Sequence, residues 1–196
     1  MGQLIILISL LLNFSFNESI ISRVNSYCYK TIGKTFDEIL YVSVKKQKMY
    51  HIIKNNIVNE YPVSTSKKGV GNKKNSFMTP YGLHYIKEKH GNETPLNGRM
   101  IGRVFNGQIA TIYTDSTSSK TDDITTRILW LNGMEKNVNN GGNLDSYNRY
   151  IYIHGTSEEG KIGTPVSNGC IRMLNNDIIE LYNSVDIGTK ILILVK

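Results

Sequence analysis

Cysteine is scarce: two residues in a chain of 196 cannot build a disulfide framework and fall short of a structural zinc site. The four histidines do not make up the deficit. His51, His84 and His90 show no ligand spacing with either cysteine, so neither a metal nor any other cofactor is expected. Long apolar runs are missing beyond Leu4–Leu12, which excludes a multi-span membrane protein. No internal repeat is present. With 40% apolar and 20% charged residues the composition is not that of a disordered or collagen-like chain, and the length suits a single domain. What the chain has in excess is positive charge, 23 Lys and Arg against 16 Asp and Glu, or +7. The lysines are dispersed and no basic stripe interleaves with aromatics, so nucleic acid is not an expected partner.

Leu4–Leu12 (LIILISLLL) is too short to cross a bilayer comfortably but suits the apolar region of a secretory signal. No Lys or Arg precedes it, and no small-x-small cleavage site follows within Asn13–Ile20. On the strength of that apolar run, and against those two absences, residues 1–17 are read as a signal peptide or N-terminal anchor, the alternative being a buried strand or helix. Residues 18–36 read as a linker with at most one helical turn, and 37–196 as the functional domain, placed outside the cytoplasm in the periplasm or cell envelope. Cys28, preceded by Asn25-Ser26-Tyr27, has a poor context for lipid attachment and is expected to be a free or buried thiol.

From Ile39 the pattern is β. Ile39–Val44, Met49–Lys54 and Ile57–Ser64 read as a meander, with turns at Lys45–Lys48 and Asn55-Asn56. Leu83–Lys87, Gln108–Thr114, Ile124–Leu131, Tyr150–His154 and Lys190–Val195 follow as strands. Thr65–Ser76, Glu88–Asn97, Asp115–Asp123 and Val138–Asn148 read as loops. Ile178, Leu181, Tyr182 and Val185 form the stripe of an amphipathic helix, with Asn176 or Asp177 as N-cap, Asp177-x-x-Glu180 as a capping box and Gly188 as its stop. The fold class is mainly β, with one or two short helices.

Alternation along Tyr150–His154 puts Ile151 and Ile153 in the core and Tyr150, Tyr152 and His154 on a more polar face. Cys170 follows in Ser167-Asn168-Gly169-Cys170-Ile171-Arg172. Cysteine catalysis needs a thiolate, a base to take its proton and donors for an oxyanion. His154 is the candidate base, and the backbone N–H groups of Asn168, Gly169 and Cys170 are the candidate oxyanion hole. Residue types alone leave a buried structural thiol and a satisfied histidine as an equal alternative.

His154-Gly155-Thr156 followed by Ser167-Asn168-Gly169-Cys170-Ile171-Arg172 resembles the signature of the L,D-transpeptidase catalytic domain, the YkuD family. Pro62–Thr65, Thr79-Pro80-x-Gly82, Thr126–Leu131, Arg149–His154 and Asp177–Tyr182 also resemble recurring segments of its bacterial members. The resemblance implies a transpeptidase-like β-sandwich and a monomer acting on peptidoglycan. Cys170 would attack the carbonyl of the third stem residue and expel D-alanine, with His154 as base held in its tautomer by a backbone carbonyl near Gly155. A second stem amine, an outer-membrane lipoprotein lysine or water would take the acyl group. Ser167, Arg172 and Tyr152 are expected to contact substrate, although a structural salt bridge fits Arg172 equally and plain packing suits Tyr152. Trp130 and Arg127 are either packing or part of a lid-like arm. The family usually carries histidine where this chain has Asn168, which can hydrogen-bond but cannot titrate. That departure keeps a non-catalytic peptidoglycan-binding domain as the rival reading.

Overall fold

The short β-branched runs pair as the alternation requires. The computed structural model describes residues 2–196, with side chains from Asn17 onward. It forms strands β1 (Glu38–Ser43), β2 (Lys48–Ile53), β3 (Asn56–Pro62), β4 (Gly82–His90), β5 (Gly98–Ile101), β6 (Val104–Ile109), β7 (Ile124–Gly133), β8 (Tyr152–Thr156), β9 (Ile171–Met173) and β10 (Lys190–Leu194), with helices α1 (Gly2–Ile32) and α2 (Asn175–Ser184). The ladder runs β3-β2-β1-β10-β4-β7-β5-β6, and β8 and β9 branch from β7. The β1–β10 and β8–β9 pairs are parallel; the others are antiparallel. Ser64, just beyond β3, exchanges two backbone hydrogen bonds of 2.9 Å with Arg172 of β9, so the ladder returns on itself. Inside lie Leu40, Val42, Ile86, Leu129, Leu131, Ile153, Ile171, Ile191 and Ile193, closed by Ile178, Leu181 and Tyr182 of α2.

Residues 18–32 are not a linker. They belong to α1, which buries Ile20, Val24 and Cys28 on the outer face of the sheet against Ile39, Tyr41, Tyr50, Ile52, Leu83 and Leu192. The spacing of four between those three residues makes the centre of a helical stripe, which the partly buried Ile21, Tyr27 and Ile32 widen. β1 is buried on both faces, which is why Ile39–Val44 reads as a continuous apolar run. Gly33, at φ +73°, ends the helix by donating its N–H to the Tyr29 carbonyl at 2.9 Å. The side chains of Leu4–Leu12, on which the export reading rests, lie outside the described residues. Among the described residues no helix is long and apolar enough to cross a membrane.

Other boundaries move as well. The strand expected over Gln108–Thr114 ends at Ile109, and β4 extends through His90 into the expected loop, pairing with Ile128. Tyr150 is left-handed at φ +57°, so β8 begins only at Tyr152. α2 starts at Asn175 with Leu174 at its cap, and the Asp177–Glu180 box does not form. Glu159 accepts the Asn175 N–H at 2.7 Å, while Glu180 turns away to take the Tyr61 hydroxyl at 3.0 Å. The helix stops at Ser184; Gly188, at φ +99°, instead turns the chain into β10.

Candidate active site

The register of β8 on β9 sets Ile153 opposite Ile171, His154 opposite Arg172 and Gly155 opposite Met173. Ile153 and Ile171 both point into the core. Because side chains alternate, Tyr152 and His154 on β8 and Cys170 and Arg172 beside them share the opposite face. Two residues distant in sequence thus become neighbours on adjacent parallel strands.

His154 is 3% exposed, and its Nδ1 lies 2.7 Å from the Gly155 carbonyl. A carbonyl only accepts, so Nδ1 carries the proton and Nε2 keeps its lone pair. Burial pushes the imidazole down to about 4. The Gly155 carbonyl and Asp122 favour the charged form and Arg172 opposes it. Gly155 is required by space, since a Cβ there would come within 2.8 Å of the Thr125 carbonyl oxygen.

Cys170 is half-buried, with its Sγ between the Tyr152 N–H and the Tyr150 carbonyl, each at 3.4 Å. Burial pushes the thiol up to about 11; Asp122 adds to the rise, while the Tyr152 N–H, Arg172 and Arg149 oppose it. The resting pair is therefore a neutral thiol and a neutral imidazole. The loop before the sulfur is tightly tied. Ser167 Oγ donates to the Cys170 carbonyl at 2.6 Å, and Thr79 Oγ1 donates to the Gly169 carbonyl at 2.9 Å. Gly169 sits at φ +130°, a conformation that side chains rarely adopt. A cavity of about 600 Å³ opens at Cys170, lined in part by Lys74, Phe77, Arg149, Tyr150 and Asn168.

Comparison with known proteins decides what this arrangement belongs to. The family model of the L,D-transpeptidase catalytic domain matches residues 37–193. The chain belongs to the L,D-transpeptidase catalytic domain family. The Bacillus subtilis (strain 168) relative named L,D-transpeptidase YqjB is 49% identical over 45 residues, 23% of this chain and 26% of that protein. YkuD of the same strain is 43% identical over 60 residues, 28% of this chain and 37% of that protein. The matched stretches thus span little more than a third of those relatives' length at most. In fold, the chain resembles an L,D-transpeptidase from Xylanimonas cellulosilytica DSM 15894 at TM-score 0.50 and 16% identity, covering 84% of this chain and 63% of that one. The avibactam carbamoyl form of Ldtfm matches at TM-score 0.50 and 16% identity, covering 82% and 49%.

Within this transpeptidase domain the expected roles divide. Ser167, expected to contact substrate, is buried and braces the cysteine loop from within. Its Oγ also accepts the Gly169 N–H at 3.2 Å, which withdraws that donor from the candidate oxyanion hole and leaves the N–H groups of Cys170 and Asn168. Arg172 is likewise committed to protein. It is 3% exposed, bonds Glu158 at 2.8 Å and pairs with Asp122. Tyr152 is buried edge-on to Trp130 at 5.4 Å, and its hydroxyl meets Arg103 at 3.3 Å. Trp130 packs in that cluster, stacked on Tyr147 at 4.0 Å, whereas Arg127 lies apart against Tyr182 and the Thr94 carbonyl. The hairpin of β5 and β6, not the Arg127–Trp130 segment, delivers Arg103 over the tryptophan ring at 4.5 Å.

Sequence reading missed Asp122, Glu158, Thr79 and Arg149. Thr79 and Arg149 carried a signal, within Thr79-Pro80-x-Gly82 and Arg149–His154; Asp122 and Glu158 carried none. Asn168, the departure from the signature, donates its amide to Asp122 at 2.9 Å. Among the described residues no group of three His, Cys, Asp or Glu side chains could hold a metal ion.

Proposed function

We propose that the protein is a cysteine-dependent L,D-transpeptidase of peptidoglycan stem peptides, working outside the cytoplasm. The observation that carries this reading is the shared face of His154 and Cys170, with the histidine tautomer set by the Gly155 carbonyl. With Nδ1 protonated, Nε2 is the ring atom free to take the thiol proton. The Cys170 sulfur then attacks the carbonyl of the third stem residue, forming a tetrahedral oxyanion at the N–H groups of Cys170 and Asn168. His154 returns the proton to the departing D-alanine amine, leaving a thioester. An amine of a second stem peptide attacks the thioester, His154 takes a proton from it, and a 3→3 cross-link results as the sulfur leaves. The cavity at Cys170 supplies room for the donor peptide.

Intact-mass measurement after incubation with meropenem tests the nucleophile. A single adduct of the inhibitor's mass, lost in Cys170→Ala, is expected; an adduct that persists in Cys170→Ala overturns it. Release of D-alanine from disaccharide-tetrapeptide with formation of the dimer tests the acceptor. Release without dimer assigns water as acceptor and makes the enzyme an L,D-carboxypeptidase. Cell-wall sedimentation with no acylation and no release overturns the enzymatic reading in favour of a binding domain.

A further inference from the structure

Two arginines influence the Cys170 sulfur, and they differ in what surrounds them. Arg172 is held by Asp122 and Glu158, and Glu158 is also paired with Lys161 at 3.4 Å. That chain of two cations and two carboxylates sums to zero, and its Asp122 end works against a thiolate. Arg149 has no such partner. Among the described residues its guanidinium meets only uncharged oxygens: the Gly71 carbonyl at 3.1 Å, the Met78 carbonyl at 2.6 Å and Ser76 Oγ at 3.4 Å. It lines the same cavity as Cys170, and the interaction of the two groups favours the charged form of each.

A partly buried guanidinium without a carboxylate is costly in the resting protein, because hydrogen bonds to carbonyls offset desolvation but leave the charge uncancelled. Such a charge is best satisfied when an anion appears nearby, and in this cavity the anion is the sulfur. The three oxygens hold the guanidinium in place, so its field needs no rearrangement when the thiol ionises. The other charged or titratable groups around the sulfur are His154 and Tyr152 on β8, Tyr150 just before it, Arg172 on β9, Asp122 ahead of β7, and Lys74 on the cavity wall. Of these, only Lys74 is another cation outside the neutralised chain, and it is exposed to solvent, where its charge is screened.

We propose that Arg149 is a positioning residue for catalysis: the fixed, uncompensated cation that stabilises the Cys170 thiolate when His154 removes its proton. This rests on Cys170 as the nucleophile, though not on which acceptor the enzyme uses. The test reads the thiol directly, by the pH dependence of Cys170 alkylation with iodoacetamide, followed by peptide mass so that Cys28 is scored separately. Arg149→Gln is expected to displace the profile upward by about one pH unit, a tenfold loss of thiolate, while Arg149→Lys stays within about threefold of the parent. Ser76→Asp keeps the arginine and its loop but places a carboxylate on the guanidinium, and it is expected to displace the profile upward as well. Ser76→Asp also keeps the proposal testable if Arg149→Gln fails to fold. A Ser76→Asp profile that superimposes on the parent overturns the proposal. So does an Arg149→Lys protein as impaired as Arg149→Gln, since shape and not charge would then be at work. A parent inactive on stem peptides but showing these shifts would refute the transpeptidase reading and leave this one standing.

Discussion

Asn168 donates its side-chain amide to Asp122 at 2.9 Å, and the same carboxylate pairs with Arg172 beneath it. Position 168, where the family resemblance leads one to expect histidine, thus ties the cysteine loop to the 115–123 segment. An amide suffices for that tie and supplies no proton. Asn168→His is therefore expected to change the acylation rate by less than about tenfold, roughly 1.4 kcal/mol, without a new ionisation in the pH–rate profile. Acylation and D-alanine release measured against pH for both proteins decide it. A large gain with a new titration would give position 168 a proton-transfer role.

Cys170 lies half-buried at a cavity, so shortening it removes chemistry rather than core volume. Cys170→Ala and Cys170→Ser should lose turnover while unfolding within about 1 kcal/mol of the parent, as expected for sites outside the close-packed core. Substantial activity of Cys170→Ala on disaccharide-tetrapeptide would sink the mechanism. His154→Ala should lose several orders of magnitude in acylation, with a residual rate from thiolate formed unaided. A rate equal to the parent's would move the base elsewhere.

The face of β8 was legible because alternation is a local rule: Ile151 and Ile153 do point into the core, and His154 points out of it. The strand itself starts later than expected, because the backbone at Tyr150 is left-handed, yet the Tyr150 ring still stacks on Trp130 at 5.5 Å and lines the Cys170 cavity. The Asp177 capping box failed for a different reason, since Glu159, brought in by the fold from sixteen residues away, caps α2 instead. Asp122 and Glu158 were invisible because each acts through partners that only the closed ladder brings near, and Arg149 was legible only as the start of the Arg149–His154 segment. α1 was missed because its packing face, Ile20, Val24 and Cys28 flanked by the partly buried Ile21 and Tyr27, is interrupted by asparagine and serine and contains few strongly apolar residues.

That packing face carries a stability prediction. Val24 is 1% exposed under Tyr41, Tyr50 and Leu192 of the outer sheet face. Val24→Ala should cost about 2 kcal/mol through lost burial and a small cavity. Val24→Asp, which sets a carboxylate against the same apolar face, should cost more and lower solubility. Urea denaturation of the two variants checks this. An unchanged midpoint for both would mean that α1 contributes nothing to the folded domain.

The last prediction concerns acid. His84 is fully buried, with Nδ1 3.0 Å from the Gly82 carbonyl and Nε2 2.9 Å from Ser146 Oγ, and burial pushes it down to about 4, as it does His154. In the unfolded chain both titrate near 6.5. Between those values the unfolded chain binds two protons that the folded chain refuses, so stability falls as pH drops from about 6.5 toward 4 and is unaffected by these groups above that range. Well inside the window the slope approaches about 1.4 kcal/mol per pH unit for each histidine. The cleanest interval is pH 6 to 5, before exposed carboxylates titrate. Denaturation midpoints at constant ionic strength should fall across it, and His84→Gln, which removes one of the two protons while keeping an amide for Ser146, should roughly halve the slope. A parent whose midpoint is flat from pH 6.5 to 5 would show that neither imidazole is held neutral by the fold. A His84→Gln protein that keeps the full slope would assign the acid sensitivity to groups other than His84.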